Sequence, residues 1–169
     1  MGRRFTLRDE IVIHAPIERC FLLSTSIEIV EQELKMRPVR GRTTGFIIES
    51  DTVRWEGWRL SLPQFHESLI ELFQPPVFFR DRMIAGRFAA FEHDHAFTDR
   101  GDGTVLLRDE VRLTMPWGWP GDLIGQWIMQ PDIRGLLHNR FARIKRIAES
   151  EEWQKYLPME INKTPLQLY

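Results

Sequence analysis

"FAAFEHDHAFTDRGDGTVLLRDEVRLTM", residues 88–115, is the stretch that decides the fold. Its first half places Phe91, His93, His95 and Phe97 on one side and Glu92, Asp94 and Ala96 on the other, the period-two spacing of a strand. Arg100-Gly101-Asp102-Gly103 has the composition of a tight turn. The second half alternates again, with Val105, Leu107, Asp109, Val111 and Leu113 set against Arg108, Glu110 and Arg112. An all-charged set must face water, so the odd-numbered residues face inward. The preceding run, VFFRDRMI, extends the pattern with Arg80 and Arg82 outward and Phe79, Asp81 and Met83 inward. Acids and bases then alternate across three adjacent strands on the outer face, as cross-strand pairing favours. The inner face carries four ionisable groups, Asp81, His93, His95 and Asp109, among apolar neighbours. Folding about the turn sets Asp109 opposite or diagonal to His95, where a carboxylate accepting from the imidazole would satisfy both groups.

Outward from this hairpin, period-two segments run from about 36 to 115: MRPV, TGFIIE, TVRWEGWRLSL, FHESLIELF, VFFRDRMI, RFAAFEHDHAF and TVLLRDEVRLTM. Gly41, Gly45, Pro63, Pro75-Pro76 and Gly86 separate them. Before them, FTLRDEIVI reads as a strand and IERCFLLSTSIEIVEQEL as helical, broken near Ser24-Thr25-Ser26, where a hydroxyl can cap a second short helix. After Pro116-Trp117-Gly118-Trp119-Pro120-Gly121, the apolar residues Leu123, Ile124, Trp127, Ile128, Leu136, Leu137, Phe141, Ile144, Ile147 and Ala148 recur at threes and fours to about 150. Pro131 marks a kink or restart in this long helix. Its polar side is read as Arg134, Arg140, Arg143, Lys145 and Arg146, a solvated face rather than a nucleic-acid surface, because no aromatic residues interleave with them. The predicted fold is α+β: a curved antiparallel sheet of six to seven strands around one long C-terminal helix, with two short helices after the first strand. We expect a single domain over residues 1–150, a tail over 151–169, and a cavity where the concave sheet cannot meet the helix.

The 169 residues carry 23 Lys and Arg against 24 Asp and Glu, a net charge of −1, which offers no field for a polyanion. No nucleic-acid partner, no stable membrane insertion and a monomer or weak homodimer are therefore expected. A single Cys20 excludes an internal disulfide, and the absence of an apolar run of signal-peptide length makes a cytoplasmic location the expectation. Cys20 sits among Phe21, Leu22 and Leu23 as a core residue rather than a nucleophile. His-x-His on one strand with an acid nearby can hold zinc or iron, but the spacing is common on strands without metal, so no metal and no cofactor are expected.

The run from Phe79 to Gly118 resembles the SRPBCC superfamily, in particular its START-type and polyketide cyclase/dehydrase-like branch. The matching residues are Phe79, Asp81, Gly86, Phe88, Phe91, His93, His95, Phe97, Gly103, Thr104, Asp109, Val111, Pro116 and Gly118, with IVIHAPIERCF similar to the family's strand-to-helix opening. Arg87 stands where the family often has Pro, and Met83 where it often has Gln. The resemblance implies the helix-grip fold of birch pollen allergen. It leaves open whether the protein only binds a hydrophobic ligand or also turns it over. For binding, Trp55, Phe65, Phe79, Met83, Phe91, Phe97, Trp127 and Phe141 are the expected walls, and Asp81, His93, His95 and Asp109 the polar anchors. The alternative is an enzyme of cyclase, aromatase or dehydratase type in which His93 or His95, held by Asp109 or Asp81, moves a proton. The Trp117–Pro120 turn is read as a lid over the core, or else as a docking point for a partner.

Overall fold

The computed structural model describes residues 2–157. Seven strands, β1 (Arg4–Ile13), β2 (Met36–Gly41), β3 (Thr52–Arg59), β4 (Leu62–Gln74), β5 (Phe78–Ala85), β6 (Ala90–Asp99) and β7 (Val105–Thr114), form one antiparallel sheet. Their spatial order is β1-β7-β6-β5-β4-β3-β2: a meander of hairpins from β2 to β7, with β1 returning to pair with β7. Two helices, α1 (Ile17–Thr25) and α2 (Ile27–Leu34), carry the chain from one edge of the sheet to the other. A long helical rod follows β7, built from α3 (Trp119–Ile124), a π-helical turn (Gly125–Met129) and α4 (Gln130–Glu149).

The outer face is charged as the alternation requires. Arg80 and Arg112 both bind Asp94, at 2.6 and 2.9 Å, and Arg112 also reaches Glu92 at 2.9 Å and Glu110 at 2.7 Å. These part-buried pairs lie on the outer face, and a strand shifted by one residue would place their charges in the core. Inward, His95 pairs across the ladder with Asp109 and Phe79, and His93 with Val111 and Asp81. Phe21 of α1 meets Phe73, Phe79 and Phe97 edge-on at 5.4, 5.7 and 5.3 Å, an arrangement that adds to the stabilisation from burying the rings.

Four local expectations differ from the structure. Residues 44–49, TGFIIE, form a loop with a single bridge from Phe46 to Ser26 rather than a strand. Two of their backbone donors go to carboxylates, Gly45 N–H to Glu28 and Ile48 N–H to Asp51, both at 2.8 Å, and Ile47 N–H donates to the Thr25 carbonyl at 3.0 Å. Pro63 does not separate strands but lies within β4, opposite Trp58, and the reversal occurs at Leu60 and Ser61, which both take positive φ. Ser26 occupies the N-cap of α2, but its hydroxyl donates to the Glu28 carboxylate at 2.9 Å rather than accepting from the backbone. The Trp117–Pro120 turn is no lid, since Trp117 and Trp119 are 78% and 75% exposed.

The π-helical turn runs directly into α4, whose second residue, Pro131, lacks the N–H an α-helix would give to the carbonyl four residues back. Gly125 faces inward there, so close to β1 that an added Cβ would lie 2.6 Å from the Phe5 ring. Past α4, residues 151–157 stay on the body of the protein: Trp153 and Leu157 are buried, with the Arg19 guanidinium 4.3 Å over the Trp153 ring. The remainder of the expected tail, 158–169, lies outside the described residues.

Candidate functional site

The helices cover the sheet unevenly. α4 packs along β1, α1 beneath β6 and β7, and α2 against β2, leaving the inner faces of β3, β4 and β5 with no helix packed flush upon them. The result is a cavity of about 200 Å³. Its apolar walls come from the sheet (Trp55, Ile70, Phe79, Phe91), α2 (Ile27, Val30) and α4 (Ile133, Leu137).

Of the expected wall residues, Trp55, Phe65, Phe79 and Phe91 line this space, Phe65 at its rim beneath the Arg54 guanidinium. Met83 lies off the wall beside Gly86, where a register shift at Glu67/Ser68 reorients the β4–β5 pairing. Phe97 and Phe141 are in the closed core and do not border the cavity. Trp127 is 71% exposed. The extra residue of the π-helical turn sends Leu123, Ile124, Trp127 and Ile128 outward and brings Gly125 and Met129 inward.

The four expected anchors are together at one end. Asp109 is completely buried, and its carboxylate reaches both histidines: Oδ1 is 3.0 Å from His95 Nδ1, and Oδ2 is 3.2 Å from His93 Nε2. The first is a hydrogen bond. The second is at ion-pair distance without meeting hydrogen-bond geometry, and His93 Nε2 is buried without a hydrogen-bond partner. Asp81 Oδ2 sits on the opposite side, 3.4 Å from His95 Nε2 and 3.8 Å from His93 Nδ1. Asp81, His93 and His95 border the cavity, and Asp109 lies beneath them. His95 also stacks on Phe79 at 4.1 Å, which fixes its ring plane.

Three further residues complete the cluster. Arg140 of α4 is buried and donates from Nε to Asp109 and from Nη1 to Glu33 of α2, both at 3.0 Å, while its Nη2 lies 3.2 Å from His95 Nδ1. His66 of β4 lines the cavity edge-on to Phe91 at 5.2 Å. Arg140 was assigned above to the solvated face, yet it follows Ile133 and Leu137 and precedes Ile144 at helical spacing, which is the buried stripe. Glu33 likewise shares its face with Val30 and Leu34, and His66 alternates with the inward Ser68 and Ile70. Position relative to the apolar residues was the available signal, and residue charge obscured it.

Electrostatically the cluster is tightly coupled. Burial opposes the Asp109 charge, but His95 and Arg140 outweigh it and hold the carboxyl well below the usual range. Burial also opposes a charge on His95, yet Asp109 raises its pKa above the ordinary histidine value despite repulsion from Arg140. Carboxylates face both nitrogens of this ring, Asp109 at Nδ1 and Asp81 at Nε2, and Arg140 Nη2 also approaches Nδ1. His93 is shifted down, by burial and then by the His95 charge, and burial also lowers His66. Burial pushes the Glu33 carboxyl up, against the pull of Arg140. Cys20, on α1, is pushed up to about 12 by burial, so no thiolate nucleophile is available there.

No protein-family model matches the sequence, and no curated protein matches it. Solved structures do match in shape. The protein TTHA0849 from Thermus thermophilus superposes with a TM-score of 0.63 at 19% identity, over 82% of this chain and 96% of that one. A START superfamily protein from Mycobacterium smegmatis gives 0.64 at 11%, over 84% and 98% of the two chains. Truncated norcoclaurine synthase from Thalictrum flavum gives 0.65 at 8%, over 86% and 94%. At these identities the likeness is one of fold, and the chain has the helix-grip fold. Among the described residues, no helix is long and apolar enough to cross a membrane.

Proposed function

We propose that this helix-grip protein binds a small hydrophobic molecule carrying a hydrogen-bonding group at one end. The observation that carries the reading is the cavity: about 200 Å³, with largely apolar walls and Asp81, His93, His95, Arg140 and Glu33 gathered at one corner, while Arg87 and Asp132 also border it. An apolar cavity of about 150 Å³ already admits a benzene ring, so this space suits one or two rings. The corner is rich in acceptors, which favours a ligand that donates, such as a phenol. The alternative is proton-transfer catalysis by His93 or His95, held by Asp109 or Asp81. Both nitrogens of His95 already face carboxylates, at 3.0 and 3.4 Å, which weighs against His95 in that role and leaves His93 as its candidate.

Calorimetric titration with 2-naphthol and with naphthalene tests the reading. Wild type binds 2-naphthol 1:1 with a negative heat-capacity change and prefers it to naphthalene, and His93→Ala loses that preference while still binding. No binding of either compound, or an equal preference in both proteins, overturns the proposal.

A further inference from the structure

We propose that Asp81, His93 and His95 form a site for one divalent transition-metal ion of the zinc and cobalt class. One ligand atom from each residue falls within 4.8 Å of the other two. Asp81 Oδ2 stands 3.4 Å from His95 Nε2 and 3.8 Å from His93 Nδ1. Ligands held at about 2.0–2.2 Å around a tetrahedral ion are separated from one another by roughly 3.3–3.6 Å, a range that the two separations from Asp81 meet or nearly meet, and binding an ion would draw the two imidazoles in to the same spacing.

The surroundings supply what such a site requires. The nitrogen of each imidazole that does not face Asp81 lies against the Asp109 carboxylate, at 3.0 Å for His95 and 3.2 Å for His93. A carboxylate behind a ligating histidine fixes its tautomer and orientation, and one buried residue is placed to serve both rings. His93 is poorly satisfied without an ion: its Nε2 has no hydrogen bond, and its Nδ1 faces Asp81 across a gap too long for one. The local charge also favours a dication. Asp81 and Asp109 both face the two imidazoles, while Arg140 pairs with Asp109 and Glu33, so a carboxylate stands on either side of the two rings. Two nitrogens and one oxygen select zinc, cobalt or ferrous iron over magnesium or calcium, which prefer all-oxygen shells. Three protein ligands leave a coordination position directed at the cavity, the arrangement of an open rather than a purely structural site. This site occupies the same polar corner as the hydrophobic-ligand reading but does not rest on it, and its test contains no organic ligand.

The experiment is titration of the full chain, stripped with a chelator and exchanged, with Co²⁺, followed by the visible d–d absorption and by displacement with Zn²⁺. The proposal expects one Co²⁺ per chain, displaced by Zn²⁺, and a loss of affinity of more than about tenfold in both His93→Gln and Asp81→Asn, with circular dichroism confirming that each variant is folded. As a measurement free of substitutions, Zn²⁺ added to wild type should shift the ring-nitrogen resonances of His93 and His95 and leave those of His14 and His138 in place. An absorption spectrum that stays that of the aquo ion, unchanged affinity in both folded variants, or shifts confined to other histidines overturns the site.

Discussion

Replacing Arg140 with Met tests whether the cluster at the cavity end is a structural unit. The guanidinium is buried and holds two buried carboxylates, Asp109 and Glu33, each at 3.0 Å. Methionine fills much of the same volume but leaves both acids without their cation. Removing one member of a buried ion pair costs about 3–5 kcal/mol, and at about 2–4 °C per kcal/mol for a chain of this size the melting temperature should fall by roughly 6–20 °C. Glu33→Gln in the Arg140→Met background should recover part of this loss, because an amide tolerates burial without a counter-ion, whereas the same change in wild type should destabilise. That opposite sign is the signature of direct coupling, with an interaction energy of about 0.5–3 kcal/mol. Urea denaturation at constant m-value provides the assay. A cost below about 1 kcal/mol for Arg140→Met, as for an ordinary surface substitution, would return Arg140 to the solvated face and refute the reasoning.

Other predictions concern the walls, the helix and the outer face. Val53 is buried at the cavity wall, so Val53→Phe should leave stability within about 1 kcal/mol and abolish 2-naphthol binding, whereas Val105→Phe in the closed core should cost about 1–3 kcal/mol; equal effects in denaturation would argue against an open cavity. Trp127→Ser should change stability by less than about 0.5 kcal/mol because the ring is exposed, and Trp55→Ala should cost about 3–5 kcal/mol. Asp94 is held below its usual pKa by Arg80 and Arg112 against the cost of burial, and Glu110 by Arg8 and Arg112. A depressed carboxylate stabilises the fold above its unfolded pKa, and that contribution is lost as the pH falls through the folded value. The stability gap between wild type and Arg112→Met should therefore be full above about pH 5 and shrink below about pH 4, and a gap independent of pH would contradict the assigned pairs.

The sidedness of the sheet was legible because three strands agreed. Arg80 and Arg82, Glu92 and Asp94, and Arg108, Glu110 and Arg112 could all reach water only if His93, His95, Asp81 and Asp109 faced inward, and the ladder pairs His95 with Asp109 directly. Two kinds of information were less accessible. Arg140 and Glu33 lie at apolar-stripe positions but carry charges that invite an outward assignment, and only their mutual pairing across α2 and α4 accounts for their burial. The rotation of Trp127 out of the protein depends on one extra residue in a π-helical turn, a change of register that spacing at threes and fours does not reveal. Similarly, TGFIIE has strand-like residues, but Glu28 and Asp51 claim the backbone donors of Gly45 and Ile48.

Native mass spectrometry of the protein as purified, compared with the same sample under denaturing conditions, addresses the central claim most directly. The account predicts one small molecule per chain in wild type, released on denaturation and missing from Val53→Phe, with a mass that fits one or two rings. Wild type that stays at its bare sequence mass, even after incubation with excess 2-naphthol, would contradict it.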